Sequence, residues 1–403
     1  MGNAGVRIDL NGRVLRVASL ADDDFANAVI TNSNAGAVAE LRVDVAEGTR
    51  MINSSVSILG SVKLVKEGLG TYVAAKTQQT YSGGTTILEG VLENSMVDAR
   101  NFLLGAVGST ITVSTNGANR GVFDIKEMCA QNADDGCAAY VLVMDGGLVQ
   151  NTGADVSQLN GQFFDVRLTA DSEFSQTYDW GMFNSATAID LGGHTLKVAI
   201  GTNGRTFHIV NCEMKNGFID VTSGGWFQTG VSGSKYEQYR LENVATNVDF
   251  RIGSAMKIYA PLSVRDYEQV YGSNNNAGTG VFSVHGTFKP AAHDYFYGVT
   301  LMDGSAIDLS QRTSALPLTS LFSGGRKTID FAANAKVTVD LSGRADVAAL
   351  AKSGDYVVTW TEATAPGVDV TFRLDAATAA KYTLKADATG LRLGRGGFIL
   401  IVR

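Results

Sequence analysis

The stretch SVKLVKEGLGTYVAAKTQQTYSGGTTILEGVLE, residues 61–93, decides the fold. Its apolar segments are about four to six residues long, the length of short β-strands, and glycine-containing turns separate them. These turns are too short to hold a helix, so successive strands can stack coil upon coil. We therefore expect a β-solenoid in which Gly68 and the pair Gly83–Gly84 adopt backbone angles that other residues resist.

The same stretch carries a recognisable motif. Lys66-Glu-Gly-Leu-Gly-Thr-Tyr72, then Thr80-Tyr-Ser-Gly-Gly-Thr-Thr-Ile87 and Gly90-Val-Leu92, resembles the autotransporter-associated β-strand repeat. That repeat typically reads Lys-x-Gly-x-Gly-Thr-Leu, then Asn-Thr-Tyr-Thr-Gly-Gly-Thr, then Gly-x-Leu. Here Tyr72 replaces the leucine and Gln79 replaces the asparagine. The resemblance implies a right-handed parallel β-helix in a secreted or surface-displayed protein, and it assigns no catalytic residue.

The composition fits a chain in which nearly every residue belongs to a strand ladder. Of the 403 residues, 46 are glycine and only 4 are proline, while 18% are charged and 45% are hydrophobic. Glycine permits tight turns and proline removes a ladder donor, so this balance favours stacked strands over disorder. The predicted fold class is all-β: a right-handed, single-stranded parallel β-helix (β-solenoid). Its coils are predicted over residues 1–345, and its last coils with a C-terminal cap over residues 346–403.

A second sequence frame recurs without a fixed period: a strand, Asp-Leu, a short turn and a basic residue. Two of its copies are VRIDLNGRVLRV, residues 6–17, and AIDLGGHTLKV, residues 188–198. The four aspartates of the frame are Asp9, Asp190, Asp308 and Asp340. A ligand role is open to them, but their place before a turn favours side chains that cap the turn backbone.

Two aromatic clusters are candidates for ligand binding. Tyr178 and Trp180 lie in YDWGMF, residues 178–183, and Tyr267 and Tyr271 lie in DYEQVY, residues 266–271. Aromatic faces beside Asp or Asn side chains are typical of sugar-binding sites. The alternative is packing, because β-helices also stack aromatic rings inside and along their coils.

Two further features concern covalent links and assembly. Cys129 and Cys137 flank a short polar segment that could close as a disulfide in an oxidising compartment; the alternative is buried thiols. Near the C-terminus, Phe398, Leu400 and Val402 form an apolar strand followed only by Arg403. An open strand edge invites pairing with another chain, so these residues are candidates for a head-to-tail contact, the alternative being internal pairing.

The sequence gives no positive signal for catalysis. The pair Asp134–Asp135 lacks the Gly-His-Gly and Arg-x-Lys motifs that accompany such a pair in β-helical pectin hydrolases, and His285 stands in Val-His-Gly. Neither a phosphate-binding loop nor a nucleophile elbow occurs. We therefore predict no catalytic, cofactor-binding or metal-binding residues.

The net charge and the length of the apolar runs limit the classes of partner that the chain is expected to bind. The net charge of −7 argues against nucleic acid, whose recognition needs a basic face. No apolar run approaches the roughly 20 residues of a membrane-spanning helix. We expect an extracellular or cell-surface protein with a structural or adhesive role, whose partners are other copies of itself in fibres, or host and extracellular glycans. The alternative is a β-helical carbohydrate-active enzyme, a polysaccharide lyase or hydrolase.

Overall fold

The fold was obtained as a computed structural model. It describes residues 5–20, 28–75, 79–94, 104–106, 108–126, 140–153, 163–177, 180–183, 188–201, 206–210, 213–221, 226–229, 243–252, 256–258, 262–269, 281–290, 298–322 and 325–395. The chain divides into two compact units, Met1–Phe227 and Gln228–Arg403, and each is described by itself.

Short strands dominate the first part of the chain. In order they are β1 Arg7–Asp9, β2 Val14–Val17, β3 Val29–Thr31, β4 Ala39–Asp44, β5 Arg50–Asn53, β6 Ser57–Ile58, β7 Val62–Glu67, β8 Thr71–Ala74, β9 Thr85–Ile87, β10 Gly90–Asn94, β11 Thr110–Val113, β12 Thr115–Asn116, β13 Asn119–Asp124, β14 Tyr140–Asp145, β15 Leu148–Asn151, β16 Phe163–Ala170, β17 Ser172–Gln176, β18 Trp180–Phe183, β19 Ala188–Asp190, β20 Thr195–Ile200, β21 Thr206–Val210, β22 Glu213–Val221 and β23 Trp226–Thr229.

The second part contains further strands and short helical segments. The strands are β24 Asn243–Ile252, β25 Met256–Ile258, β26 Leu262–Val264, β27 Asp266–Gln269, β28 Phe282–Val284, β29 Thr287–Lys289, β30 Val299–Leu301, β31 Ala306–Asp308, β32 Leu316–Pro317, β33 Thr319–Phe322, β34 Gly325–Phe331, β35 Lys336–Asp340, β36 Tyr356–Thr359, β37 Thr371–Leu374, β38 Tyr382–Asp387 and β39 Gly390–Arg395. The helices are α1 Val347–Ser353 and α2 Ala376–Ala379, with a 3₁₀ turn at Glu362–Thr364.

In the N-terminal unit the strands stack in parallel, one coil upon the next. One stack contains β2, β4, β7, β9, β11, β14, β16, β19 and β22. The residues in register along its inward side are Leu15, Leu41, Leu64, Thr85, Ile111, Leu142, Val166, Ile189 and Met214. One coil takes about 20 to 30 residues, which is within the range of solenoid repeats.

A second stack in this unit lies beside the first. It contains β5, β8, β10, β13, β15, β17, β20 and the end of β22. Its inward column is buried throughout and consists of Met51, Tyr72, Leu92, Phe123, Val149, Phe174, Val198 and Val221. Shorter parallel groups are β1–β3–β6 and β18–β21, and β12 and β13 form an antiparallel hairpin. The predicted all-β parallel β-helix is therefore confirmed.

The C-terminal unit repeats the arrangement. β26, β28, β30 and β34 form one parallel stack, and the end of β24 with β27, β29, β31, β35 and β37 forms another. The second stack has an inward column of Phe250, Tyr267, Phe288, Ile307, Val339 and Leu374. From Phe250 to Val339 each coil thus buries an apolar residue directly above that of the preceding coil, which is how period-two strands build a continuous core.

The end of the chain adds a sheet of different topology. β32 pairs in parallel with β36, whereas β36–β39 and β38–β39 are antiparallel. Asp375 links the short helix α2 to the preceding coil: its carboxylate accepts the Thr378 amide at 2.9 Å and the Leu341 amide at 3.0 Å. The last parallel strand, β37, lies within the segment predicted to hold the last coils and the cap.

The Asp-Leu frame forms the same turn at each of its four positions. The aspartate Oδ1 accepts the backbone N–H two residues on, at 2.8 to 3.1 Å: Asp9 from Asn11, Asp190 from Gly192, Asp308 from Ser310 and Asp340 from Ser342. The leucine is buried, and its carbonyl accepts the N–H of the basic residue three positions later: Arg13, His194, Arg312 or Arg344. The predicted turn-capping role is confirmed.

Asp340→Ala should therefore lower the free energy of unfolding by about 1 kcal/mol, the usual worth of a side chain that caps exposed backbone N–H groups. Asp340→Asn is the matched control, because its amide oxygen can still accept the Ser342 N–H. Urea denaturation of the three proteins measures the difference. Equal losses in both variants would contradict the hydrogen-bond interpretation.

Residues 61–93 require glycine for two different reasons, a positive φ at some positions and a lack of room for a side chain at another. Gly68 and Gly84 have φ of 73° and 81°, as predicted. For Gly83 the predicted reason is wrong, because its φ is not positive. A Cβ at Gly83 would lie 2.6 Å from the carbonyl oxygen of Val62. The close approach of two chain segments, and not the backbone angle, requires glycine there.

Candidate functional site

The lysine of the repeat-like motif is buried and bound to backbone. Lys66 lies on the inward side of β7 and has no exposed surface. Its Nζ donates hydrogen bonds to the carbonyl oxygens of Glu67 at 2.7 Å, Gly68 at 2.6 Å and Glu89 at 3.2 Å. Because Glu89 belongs to the next coil, this one side chain joins two coils.

Burial lowers the pKa of Lys66 from 10.5 to about 8. The nearby carboxylates of Glu89, Asp44 and Glu67 act in the opposite direction and raise the pKa, but their effect is smaller. A perturbed lysine can mark a proton-transfer site. Here, however, the three donors of the ammonium meet three carbonyl acceptors and no solvent. The geometry is that of a structural tie between coils.

A column of glycines marks the corner between the two main stacks of the N-terminal unit. Its members are Gly70, Gly90, Gly121 and Gly147. A Cβ at Gly90 would lie 2.3 Å from the Gly68 carbonyl oxygen, and one at Gly121 would lie 2.4 Å from the Ile87 carbonyl oxygen. At this corner the backbones of adjacent coils touch, so a side chain has no room.

Charged side chains on the outer surface reach past a whole coil. Three arginine–glutamate pairs join strands that are two coils apart: Arg16 with Glu67, Arg50 with Glu93 and Arg120 with Glu173. Each pair has one strand between its partners, β4, β8 and β15 respectively. These ion pairs run along the stacking direction and tie three coils together.

Glu67 is the most buried of these carboxylates. Arg16 Nε donates to it at 2.9 Å, and Arg42 Nη1 donates to its other oxygen at 2.5 Å. Burial by itself would raise the pKa of Glu67, but the hydrogen bonds and charges of the two arginines outweigh it and lower the pKa below 4.5. Folding and ionisation of Glu67 are therefore linked.

We expect Glu67→Gln to lower the free energy of unfolding by about 1–3 kcal/mol at neutral pH, because the charge-assisted hydrogen bonds from Arg16 and Arg42 weaken. The folded-state pKa is depressed, so the stabilising contribution is present above 4.5 and is lost as the pH falls through the folded pKa. Chemical denaturation of both proteins between neutral and acid pH measures the gap. A gap that stays constant on acidification contradicts the linkage.

Among the residues predicted to bind a ligand, Tyr267 is the one whose side chain is described. It is fully buried in the inward column of the C-terminal unit. Its ring stacks on Phe282 at 4.6 Å and on Phe288 at 5.7 Å between centroids. This placement gives Tyr267 a packing role, the alternative considered for the aromatic clusters, because a ring inside the coil cannot contact a glycan outside it.

The other predicted site residues are not brought together by the described structure. Trp180 begins β18, where it is in register with Phe207 of β21. The remaining residues lie outside the described ranges: Tyr178 and Tyr271 of the aromatic clusters, Cys129 and Cys137 of the predicted disulfide, and Phe398, Leu400 and Val402 of the predicted assembly strand.

One hydrogen bond resembles part of a catalytic arrangement. Ser263 Oγ lies 2.7 Å from His285 Nε2 on the exposed side of β26 and the β28–β29 turn. Nucleophilic catalysis also needs a third group that orients the histidine. Within the described part of the chain no residue hydrogen-bonds the other ring nitrogen, and no group of three or more His, Cys, Asp or Glu could hold a metal ion. What the structure shows for this pair is a hydrogen bond on the exposed face of the coil.

No protein-family model, curated protein or solved structure matches this chain significantly. The fold assignment therefore rests on the strand registers given above. No described helix is both long and apolar enough to cross a membrane.

Sequence reasoning found the motif but missed what its residues do. The alternation of β7 places Lys66 inward, in register with Val43 and Ile87, and that period could have shown a lysine in a core column. The ion pairs across two coils carry no local signal, because the partners are far apart in the sequence. They depend on the length of every intervening turn.

Proposed function

We propose that this protein is a secreted or surface-displayed structural or adhesive β-helix protein, similar in role to the passenger regions of autotransporter-like bacterial surface proteins. One observation carries the proposal: three residues of the repeat-like motif, Lys66, Gly68 and Gly90, join neighbouring coils. Lys66 binds backbone carbonyls, and Gly68 and Gly90 allow backbone contact between coils. The motif therefore has a mechanical role.

The hydrogen-bonded and ion-paired side chains of the coils also support a structural role. The aspartates of the Asp-Leu frame cap turns, and the arginine–glutamate pairs tie coils together. Such interactions stabilise a scaffold, and they leave binding to the segments between strands. Those segments vary widely in length: two residues separate β9 from β10, whereas β10 ends at Asn94 and β11 begins at Thr110. Insertions of this kind are where solenoids place binding surfaces.

Exposure on the cell surface is tested with intact cells that express the protein from its native gene. Brief protease treatment of whole cells should digest it while a cytosolic marker protein stays intact. Lysed cells provide the control that shows the protease can cleave both. A protein that is protected in intact cells and digested only after lysis overturns the proposed location.

Incubation of the purified protein with extracellular glycans distinguishes an adhesive role from a catalytic one. The adhesive role predicts binding to a subset of immobilised extracellular glycans, with no change in their length. Trp180→Ala and Tyr271→Ala should weaken this binding if the aromatic clusters hold sugar, whereas Tyr267→Ala should act through stability alone. Shortened oligosaccharides or new unsaturated ends would favour the lyase or hydrolase alternative.

Self-assembly is the second part of the proposal. An apolar strand containing Phe398, Leu400 and Val402 would pair head to tail with the first coil of another copy. Light scattering at rising protein concentration should show growth of long species, and Leu400→Lys should stop it without changing the circular dichroism spectrum. A wild-type protein that stays monomeric rules out the fibre.

A further inference from the structure

The exposed hairpin β12–β13 carries a chemically labile residue pair. Thr115 pairs with Arg120 and Asn116 pairs with Asn119, which leaves a two-residue turn of Gly117 and Ala118. Gly117 has φ of 63°, and a Cβ built on it would meet no atom within 4 Å. Every residue from 115 to 119 is exposed.

We propose that Asn116 is a site of spontaneous deamidation. The Gly117 backbone nitrogen attacks Asn116 Cγ and forms a C–N bond, while the Cγ–Nδ2 bond breaks. The side-chain nitrogen leaves as ammonia and carries away the proton that the Gly117 nitrogen loses. Water then adds to either carbonyl of the resulting cyclic imide, which gives aspartate or isoaspartate at position 116.

The reaction needs a free nucleophile, and Gly117 offers one. No described residue accepts a hydrogen bond from the Gly117 N–H or hydrogen-bonds the side-chain amide of Asn116. The open space around Gly117 also allows the backbone rotation that brings its nitrogen to the side chain. A β-hairpin tip with a two-residue strand opens at low cost, because few contacts hold it.

Two other Asn-Gly pairs in the described structure lack these conditions. At Asn11–Gly12 the Gly12 N–H donates to Asn32 Oδ1 at 2.8 Å, so the nucleophile is engaged. A Cβ at Gly12 would also lie 2.7 Å from Asn34 Nδ2, which shows how closely the turn is packed.

The pair Asn216–Gly217 is held by different contacts. Asn216 Nδ2 donates to Asp190 Oδ1 at 3.2 Å, and the Asn216 carbonyl accepts the Gly193 N–H at 2.7 Å. Gly217 lies against the turn of the preceding coil, where a Cβ would be 2.3 Å from Leu191 Cβ. The three pairs thus share a sequence and differ in structure. Two more, at Asn160 and Asn203, lie outside the described residues.

Deamidation would change the surface of the hairpin. A carboxylate at position 116 stands across the hairpin from Asn119, whose side-chain amide donates to Glu89 at 2.8 Å. The new charge therefore lies close to an existing one. Isoaspartate also lengthens the backbone by one carbon, which shifts the register between Thr115 and Arg120.

The test follows the three sites in one sample of the full chain. The folded protein is held for weeks in mildly alkaline buffer, and peptide mass mapping scores replacement of an amide by a carboxyl group. We expect conversion at Asn116 to be about tenfold faster than at Asn11 or Asn216, the ratio set by breaking one hydrogen bond of ordinary strength first. Conversion at Asn11 or Asn216 that equals or exceeds that at Asn116 overturns the proposal.

A parallel sample in concentrated urea provides the reference. Without structure the three sites should convert at similar rates, so the ordering must appear in the folded protein alone; the same ordering in urea would assign it to local sequence and overturn the structural argument. Asn116→Gln should abolish conversion at position 116 and leave the other sites unchanged. Asn32→Ala, which frees the Gly12 N–H, should accelerate conversion at Asn11.

Discussion

Gly90→Ala should lower the free energy of unfolding by about 2–5 kcal/mol, a large fraction of the stability of an ordinary domain. Gly90 has φ of 66°, a left-handed conformation that costs alanine about 1–2 kcal/mol. Its new Cβ would also lie 2.3 Å from the Gly68 carbonyl oxygen and 2.6 Å from that of Gly70. Both obstacles are backbone atoms of the neighbouring coil, which cannot turn aside as a flexible side chain can.

Two matched variants separate the cost of the positive φ at Gly90 from the cost of the close contact between its new Cβ and the neighbouring coil. Gly48 has φ of 74° with no atom within 4 Å of a built Cβ, so Gly48→Ala should cost only the angle, about 1–2 kcal/mol. Gly121 lacks a positive φ, but its Cβ would lie 2.4 Å from the Ile87 carbonyl oxygen, so Gly121→Ala should report the close approach. Urea denaturation gives all three values. If Gly90→Ala costs no more than Gly48→Ala, the coil corners are not in contact.

The architecture of this chain was predictable because its signals are local. Period-two alternation and frequent glycine turns define each strand over a few residues, and the turn cap of Asp340 acts on a backbone amide two residues away. Copies of the same local unit then stack, so the parallel ladder follows without knowledge of distant contacts. The buried columns of the N-terminal unit are the direct product of that alternation.

What could not be predicted depends on the register between coils. Arg16 meets Glu67 only because the turns of the coils between them have particular lengths. Tyr267 appeared beside polar residues that suggested a binding loop, yet the alternation of β27 turns its ring into the core. For Gly83 the predicted reason was the backbone angle, whereas the close approach of Val62, at the start of β7 in the preceding coil, is what requires glycine. Local sequence does not contain these distances.

Lys66→Met is the second substitution with a large expected effect. Methionine has a similar length and fits an apolar column, so packing is largely preserved. The carbonyl oxygens of Gly68 and Glu89, however, lose their donor inside the coil, and each buried acceptor left unpaired costs about 1–3 kcal/mol. Lys63→Met is the matched control: Lys63 lies on the same strand but points outward, and its loss should change stability by no more than about 0.5 kcal/mol.

The pH dependence of this difference distinguishes a buried ammonium from a merely bulky side chain. Lys66 has a pKa of about 8 in the folded protein and 10.5 as the reference value, since burial disfavours its charge. Between these values the unfolded chain holds a proton that the folded protein has released, so the stability of the wild type rises with pH. The gap between wild type and Lys66→Met should be smallest at neutral pH, where the charge is buried, and widen by about 3 kcal/mol towards pH 10.5. Tyrosines and other titratable groups titrate alike in both proteins, so their contributions to the stability difference cancel. A gap that stays constant or narrows over this range would show that Lys66 does not carry its charge into the core.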